Sequence, residues 1–171
     1  VEALTVIHIY GDLWSEEYDR CWRVITTNGF VKRNGQVVMG RGCAREAATR
    51  HPDLPLRLGR LLKRYGNRMF VFRRYRLITF PVKHNWWEKA DKELITRSAR
   101  ELYELAVGWS GEVFILPRPG CGNGGLRWSE VGPLLSFLPD NVWVITREQE
   151  EGKDYGSTGV DAVKGSCPGP G

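Results

Sequence analysis

Cysteine pairs, metal-spaced histidines, long apolar runs and, over one interior stretch, acidic residues are what this sequence lacks. Cys21, Cys43, Cys121 and Cys167 are scattered with no C-x-x-C pair, and His8, His51 and His84 show no metal-ligand spacing. This argues against a metal site and gives no disulfide framework, so a reducing cytoplasm is the expected location. No apolar run is long enough to span a bilayer, and the amino terminus has no basic-then-apolar signal pattern, so no membrane partner is expected. A first residue of Val1 rather than Met fits a trimmed chain or a fragment.

The missing acids lie between Leu54 and Trp87, where Arg57, Arg60, Lys63, Arg64, Arg68, Arg73, Arg74, Arg76 and Lys83 all fall without one Asp or Glu. Such a run is either a solvated helix face followed by strand edges or a surface for a phosphate backbone. Over the whole chain 25 basic residues face 20 acidic ones, an excess that suits a polyanionic partner without requiring one. With 171 residues, 42% of them hydrophobic, the chain fits one domain with a real core.

β-rich apolar runs occur at Leu4–Ile9, Arg23–Thr27, Met69–Phe72, Leu77–Phe80, Val113–Leu116 and Val142–Ile145, bounded by Gly, Pro or Asn. Helical patterns lie between them at Gly42–Arg50, Leu56–Tyr65, Lys89–Val107 and Ser129–Leu138. The clearest is Lys89–Val107, where Leu94, Ile95, Ala99, Leu102 and Ala106 recur at steps of three and four. Alternating strands and helices predict an α/β fold, a mostly parallel sheet with helices on both faces. The domain is expected over residues 1–148. Residues 149–171, rich in Gly, Ser and Pro, read as a flexible extension or an appended tail.

Three segments leave a strand in a way that suits ligand binding, which in open α/β sheets occurs beyond the carboxyl ends of strands. In VIHIYGDLW, Gly11 permits a sharp turn and Asp12 offers a carboxylate that could accept from an adenine amino group; alternatively Asp12 caps a helix. In ITTNGFVKRNGQVVMGRGCAREAA, Gly40-Arg41-Gly42 opens a helix whose first N–H groups suit phosphate. It is neither a Walker A loop nor a dinucleotide fingerprint, since Arg45 stands where the third glycine should be. In FILPRPGCGNGGLRW, a strand again runs into glycines and then a helix. Two such loops on one sheet could clamp a diphosphate, each glycine removing a Cβ from its path.

GDL after the first strand, TTNG…VMGRGCA after the second and P-x-x-GCGNGGL-x-W after the penultimate one resemble the macro domain, an ADP-ribose-binding three-layer α/β/α sandwich with a mixed, mostly parallel sheet. The resemblance covers about Leu4 to Thr146 and keeps the family's motif order. It implies adenine recognition at Asp12 and Leu13, and distal-ribose contact at Asn28 and Gly29. It also implies diphosphate binding by Val38, Met39, Gly40, Arg41 and Gly42 on one side, and by Pro117, Gly120, Cys121, Gly122, Asn123, Gly124, Gly125 and Leu126 on the other.

FPVKHNWW, Phe80–Trp87, further resembles the FPTK-x-HW segment of macro domains that remove ADP-ribose from DNA bases as antitoxins, or of the related terminal ADP-ribose glycohydrolases. That branch implies a catalytic role for Lys83, with Asn28 beside it, as a nucleophile at the anomeric carbon or as a proton donor to the departing base. It implies ADP-ribose as ligand or product, no cofactor, a nucleic-acid substrate held by the Arg57–Lys83 stretch, and a cognate toxin as partner. The chain departs from the branch at Arg127, where an acid is usual, at Gly124, where one relative carries an acid, and at Asn85, which stands in the His position. The loop FVKRNGQ is longer and more basic than usual, as for a large anionic substrate or an inserted lid. Two other readings stay open: an ADP-ribose 1″-phosphate phosphatase, and a non-catalytic ADP-ribose reader. Phe30, Trp86, Trp87 and Trp128 are each either stacking surfaces or ordinary packing.

Overall fold

Along the central strands, buried side chains point alternately to two separate apolar clusters, which is the pattern of a sheet covered on both faces. The structure, a computed structural model, describes residues 6–147 and Cys167. Its strands are β1 (Ile7–Tyr10), β2 (Trp22–Asn28), β3 (Val71–Phe72), β4 (Leu77–Lys83), β5 (Phe114–Pro117) and β6 (Val142–Thr146). Its helices are α1 (Gly42–Arg50), α2 (Leu54–Tyr65), α3 (Lys92–Gly108) and α4 (Trp128–Val131). The sheet order is β1-β6-β5-β2-β4-β3, parallel except for the short β3. Ile9, Ile25, Ile115 and Ile145 pack against α1 and α2, whereas Val24, Phe114, Leu116, Val142 and Val144 pack against α3 and α4. The result is the expected three-layer α/β/α sandwich.

α3 starts at Lys92, three residues later than its apolar periodicity suggests, because Asp91 caps it by accepting from Glu93 N at 2.9 Å. Lys89 and Ala90 are thereby left to a loop, where Ala90 N donates to Gly124 O at 2.9 Å. At the far end of α3, Asn141 Nδ2 reaches the carbonyls of Ala106, Trp109 and Glu112 at 2.9 to 3.3 Å and ties the helix to the start of β6. The helix predicted over Ser129–Leu138 breaks instead: α4 ends at Val131 and Gly132–Leu135 is a 3-10 turn. Pro133 has no N–H for an α-helical bond, which accounts for the tighter turn. β4 runs through Pro81 because β3 has already ended, so the missing N–H has no strand to face.

The expectation of no disulfide is corrected. Cys21, fully buried just before β2, is bonded to Cys167. A separation of 146 residues leaves no local spacing to reveal such a pair, and the inference of a reducing compartment loses this support. Apart from Cys167, the expected tail at 149–171 lies outside the described residues. Among the described residues, no helix is long and apolar enough to cross a membrane, and no three His, Cys, Asp or Glu side chains are grouped to hold a metal ion.

Candidate functional site

The sheet reverses its winding between β2 and β5. From β2 the chain continues through α1 and α2 to β3 and β4 on one side; from β5 it continues through α4 to β6 on the other. Such a switch point opens a crevice beyond the carboxyl ends of the two strands, and both glycine loops leave the sheet there. The Asp12 turn follows β1 at one end of the same row and Lys83 closes β4 at the other. Neighbouring strands lie about 4.8 Å apart, so the four steps from β1 to β4 span roughly 19 Å.

Asp12 caps no helix. Its Oδ1 accepts from Trp14 N at 2.9 Å in a turn that precedes the 3-10 segment Glu16–Tyr18, and the carboxylate is exposed beside the buried Leu13. Asn28 braces the loop that follows β2: its Nδ2 donates to Val38 O at 2.8 Å and its Oδ1 accepts from Phe30 N at 3.0 Å. Between these ends, the basic insertion predicted as a lid or anion contact is a tight hairpin. Lys32 N donates to Gln36 O at 2.8 Å, and Val31 bridges Val37. The hairpin sits on α2 so closely that a Cβ on Gly59 would collide with the Gly35 carbonyl. Beyond it, Met39 is buried, Gly40 is open, and Arg41 leads into α1 with no side-chain cap. The first N–H groups of α1 are thus left for another acceptor.

The four glycines after β5 have different reasons to be glycine. Gly120 and Gly125 have φ of +75° and +74°, a region side chains disfavour. A Cβ on Gly120 would also meet Ile95 and Ala90 within 3.0 Å, and one on Gly124 would strike the Gly120 backbone. The loop's own packing therefore requires these three. Gly122 alone is unconstrained: its φ is not positive and no atom lies within 4 Å of where its Cβ would be. Pro117 ends β5, Leu126 is buried with its N–H on Gly120 O at 2.9 Å, and Cys121 Sγ contacts Pro119 O at 3.6 Å. Arg127 N donates to Glu130 Oε2 at 2.9 Å, closing the turn into α4.

Lys83 is bonded to the second glycine loop, whose Asn123 approaches the first. Its Nζ donates to Asn123 O at 3.0 Å and to Trp86 O at 3.4 Å, while Asn123 Nδ2 would lie 3.4 Å from a Cβ on Gly42. Partial burial first, and then the Arg41 guanidinium, push its amine below the ordinary lysine range. Its carbonyl is held as firmly, by Gly29 N at 3.1 Å and Asn67 Nδ2 at 3.0 Å. Sequence reasoning missed Asn67, because an Asn after Gly66 at a helix end reads as turn punctuation and nothing local shows that it reaches residue 83. His84 beside it pairs with Asp91 at 2.8 Å, which draws the Asp91 carboxyl below its usual range. Cys43 at the start of α1 lies 3.3 Å from Thr26 Oγ1, and burial pushes its thiol up, away from nucleophile chemistry.

The Arg57–Lys83 stretch does not form one surface. Arg57 pairs with Asp53 and Arg68 with Glu101; Arg73 lies over Trp109, and Arg76 contacts Glu112 and the Arg20 carbonyl. Arg73, Arg74 and Arg76 precede β4, a strand length or roughly 20 Å from Lys83. Lys63, by contrast, faces the hairpin that carries Lys32 and Arg33, its Nζ 3.9 Å from where a Cβ on Gly35 would be. Trp128 is buried packing in the core, whereas Phe30, Trp86 and Trp87 gather beside Lys83.

No family model and no curated protein matches this chain. Solved structures do. The macrodomain of Mycobacterium tuberculosis DarG is 24% identical with a TM-score of 0.67, covering 84% of this chain and 99% of its own. The macrodomain of Thermus aquaticus DarG is 24% identical with a TM-score of 0.63, covering 84% and 98%. Thermosipho africanus DarTG, solved in complex with ADP-ribose, is 22% identical with a TM-score of 0.68; 85% of this chain matches it, over 43% of that longer chain. The chain therefore spans less than half of DarTG and nearly all of the separate macrodomains. These likenesses show a macrodomain fold.

Proposed function

We propose, from the macrodomain fold as premise, that this chain binds ADP-ribose along the carboxyl edge of its sheet and hydrolyses an ADP-ribosyl linkage, with single-stranded DNA as the bearer. The observation that carries this reading is the Lys83 amine bonded to Asn123 O on the Gly120–Gly125 loop, near Arg41 of the other glycine loop and with its basicity depressed. Asp12, past β1, receives the adenine. The uncapped start of α1 and the open backbone at Gly122 receive the diphosphate from opposite sides of the crevice. The distal ribose then falls at the β2 and β4 loops, with its anomeric carbon near Lys83 and Asn28.

A depressed pKa raises the fraction of free amine, which favours Lys83 as nucleophile. Its lone pair forms a bond to the anomeric carbon as the glycosidic bond breaks, and the base leaves with that bond's electron pair and takes the proton that the newly cationic lysine nitrogen gives up. Water then cleaves the lysine adduct, giving ADP-ribose and restoring the amine. The chemistry needs water and no cofactor. In an antitoxin setting the same reaction would reverse the work of a toxin that modifies DNA.

Titration calorimetry with ADP-ribose, followed by incubation with an ADP-ribosylated single-stranded oligonucleotide, tests the proposal. The expected outcome is binding and release of ADP-ribose by the wild-type chain. Lys83→Ala should bind with affinity within a fewfold and release nothing. Equal release by the variant would remove the lysine mechanism, and absence of ADP-ribose binding would remove the whole reading.

A further inference from the structure

Trp86 and Trp87 are 51% and 59% exposed, although burying an indole is among the more favourable things a fold can do. They are not loosely placed. Their rings meet edge to face at 5.5 Å, and Phe30 meets Trp87 in the same manner at 5.4 Å. Each ring rises from backbone that the site itself fixes. The Trp86 carbonyl accepts from Lys83 Nζ, Asn85 O accepts from Glu88 N at 3.2 Å, and Phe30 N is held by Asn28. An aromatic ledge therefore stands three and four residues along the chain from Lys83, whose amine bonds the Trp86 carbonyl, and is built from the two loops that receive the distal ribose.

The surroundings of the ledge are cationic on balance. Lys83, Arg41 and Lys89 lie on its own loops or the one opposite, and Lys32 and Arg33 are on the hairpin that begins at Phe30. Of the nearby acids, Asp91 is engaged by His84 and Glu130 by Lys92, leaving Glu88. Exposed aromatic faces among cations suit unpaired nucleobases, because every base has a face to stack and a phosphate to neutralise. A paired, stacked duplex offers no such face. On the proposed placement, the adenine of the ADP-ribose lies at the Asp12 turn past β1, at the other end of the row, and leaves the ledge to another occupant.

We infer that Trp86 and Trp87 form a stacking platform for unpaired bases of the nucleic-acid strand that carries the ADP-ribosyl group. This rests on the proposed reading that the bearer is nucleic acid. The platform would hold the strand beside Lys83 through bases adjoining the modified one, adding affinity for the strand and none for free ADP-ribose.

Fluorescence anisotropy of a labelled, unmodified oligothymidylate with the full chain tests this without requiring turnover. Trp86→Ala and Trp87→Ala should each weaken binding about tenfold and the double variant about a hundredfold. ADP-ribose affinity by calorimetry should stay within twofold, and Trp87→Phe should retain most strand binding. Both side chains are largely exposed, and melting curves check that the variants fold. A double variant that binds the oligonucleotide as well as wild type would overturn the platform, as would a wild-type chain with no affinity for it. ADP-ribose affinity falling in parallel would also overturn it, since the indoles would then belong to the ribose pocket. Wild-type strand binding that depends on the indoles, with no ADP-ribose released from a modified strand, would leave the platform standing and sink the hydrolase reading alone.

Discussion

A lysine that ends a strand is ordinarily a solvated cation, and Lys83 departs from that because its half-buried side chain bonds the Asn123 and Trp86 carbonyls beside another cation. Both burial and Arg41 disfavour the charged form, so its titration falls below the ordinary 10.5. The sign of the pH dependence then separates its two roles. As a nucleophile Lys83 works deprotonated, so the rate of ADP-ribose release should climb with pH and level off below 10.5. Arg41→Ala should move that plateau to higher pH by removing one of the two causes. A rate that instead declines as pH rises through the same range would assign the lysine to proton donation. Steady-state release at saturating substrate, measured from pH 6 to about 10, decides between them. The sequence named Lys83 only by resemblance. It could not show the grip on it, because Asn67 and Asn123 are distant in sequence and only the folded chain brings them to residue 83.

At the level of elements, the strands and α1 were legible because their apolar periods of two and three to four survive in the fold. Boundaries moved where a side chain or a loop intervened: Asp91 delayed α3, and Gly132-Pro133 broke α4. The glycine loops were legible as loops but not in their division of labour, which depends on what each missing Cβ would touch. That division is testable by substitution. Gly122→Glu meets open space at a φ that is not strained, so the melting temperature should hold while ADP-ribose affinity falls at least a hundredfold. Gly59→Ala should do the opposite. Alanine favours a helix over glycine by up to about 1 kcal/mol, yet its Cβ would enter the Gly35 carbonyl, and the hairpin must shift. Overpacking of this kind costs about 1–3 kcal/mol. The net expectation is a lower melting temperature with ADP-ribose binding retained once folded. A Gly122→Glu chain that binds normally would show the diphosphate site to be misplaced.

Across the whole molecule, a net charge of +5 says little until its distribution is known. The acid-free run left open a solvated face or one phosphate-binding surface, and the fold divides it. α2 runs back to the site edge and sets Lys63 beside the hairpin bearing Lys32 and Arg33, while Arg73 and Arg74 are left at the opposite edge of the sheet. Under the proposed function, a strand of nucleic acid entering at Lys83 would reach the first group and not the second. Each phosphate neutralised on a single strand contributes about 0.7 to the slope of log affinity against log salt. Lys32→Glu with Arg33→Glu should therefore flatten the slope for a single-stranded oligonucleotide by roughly 1.4 if each makes one phosphate contact, whereas Arg73→Glu with Arg74→Glu should leave it unchanged. Both pairs alter net charge equally, so a nonspecific charge effect would move both slopes together, and only a defined path for the strand separates them. Equal flattening in the two variants would mean that the strand is held by the overall field of the protein rather than by the hairpin beside its reactive edge.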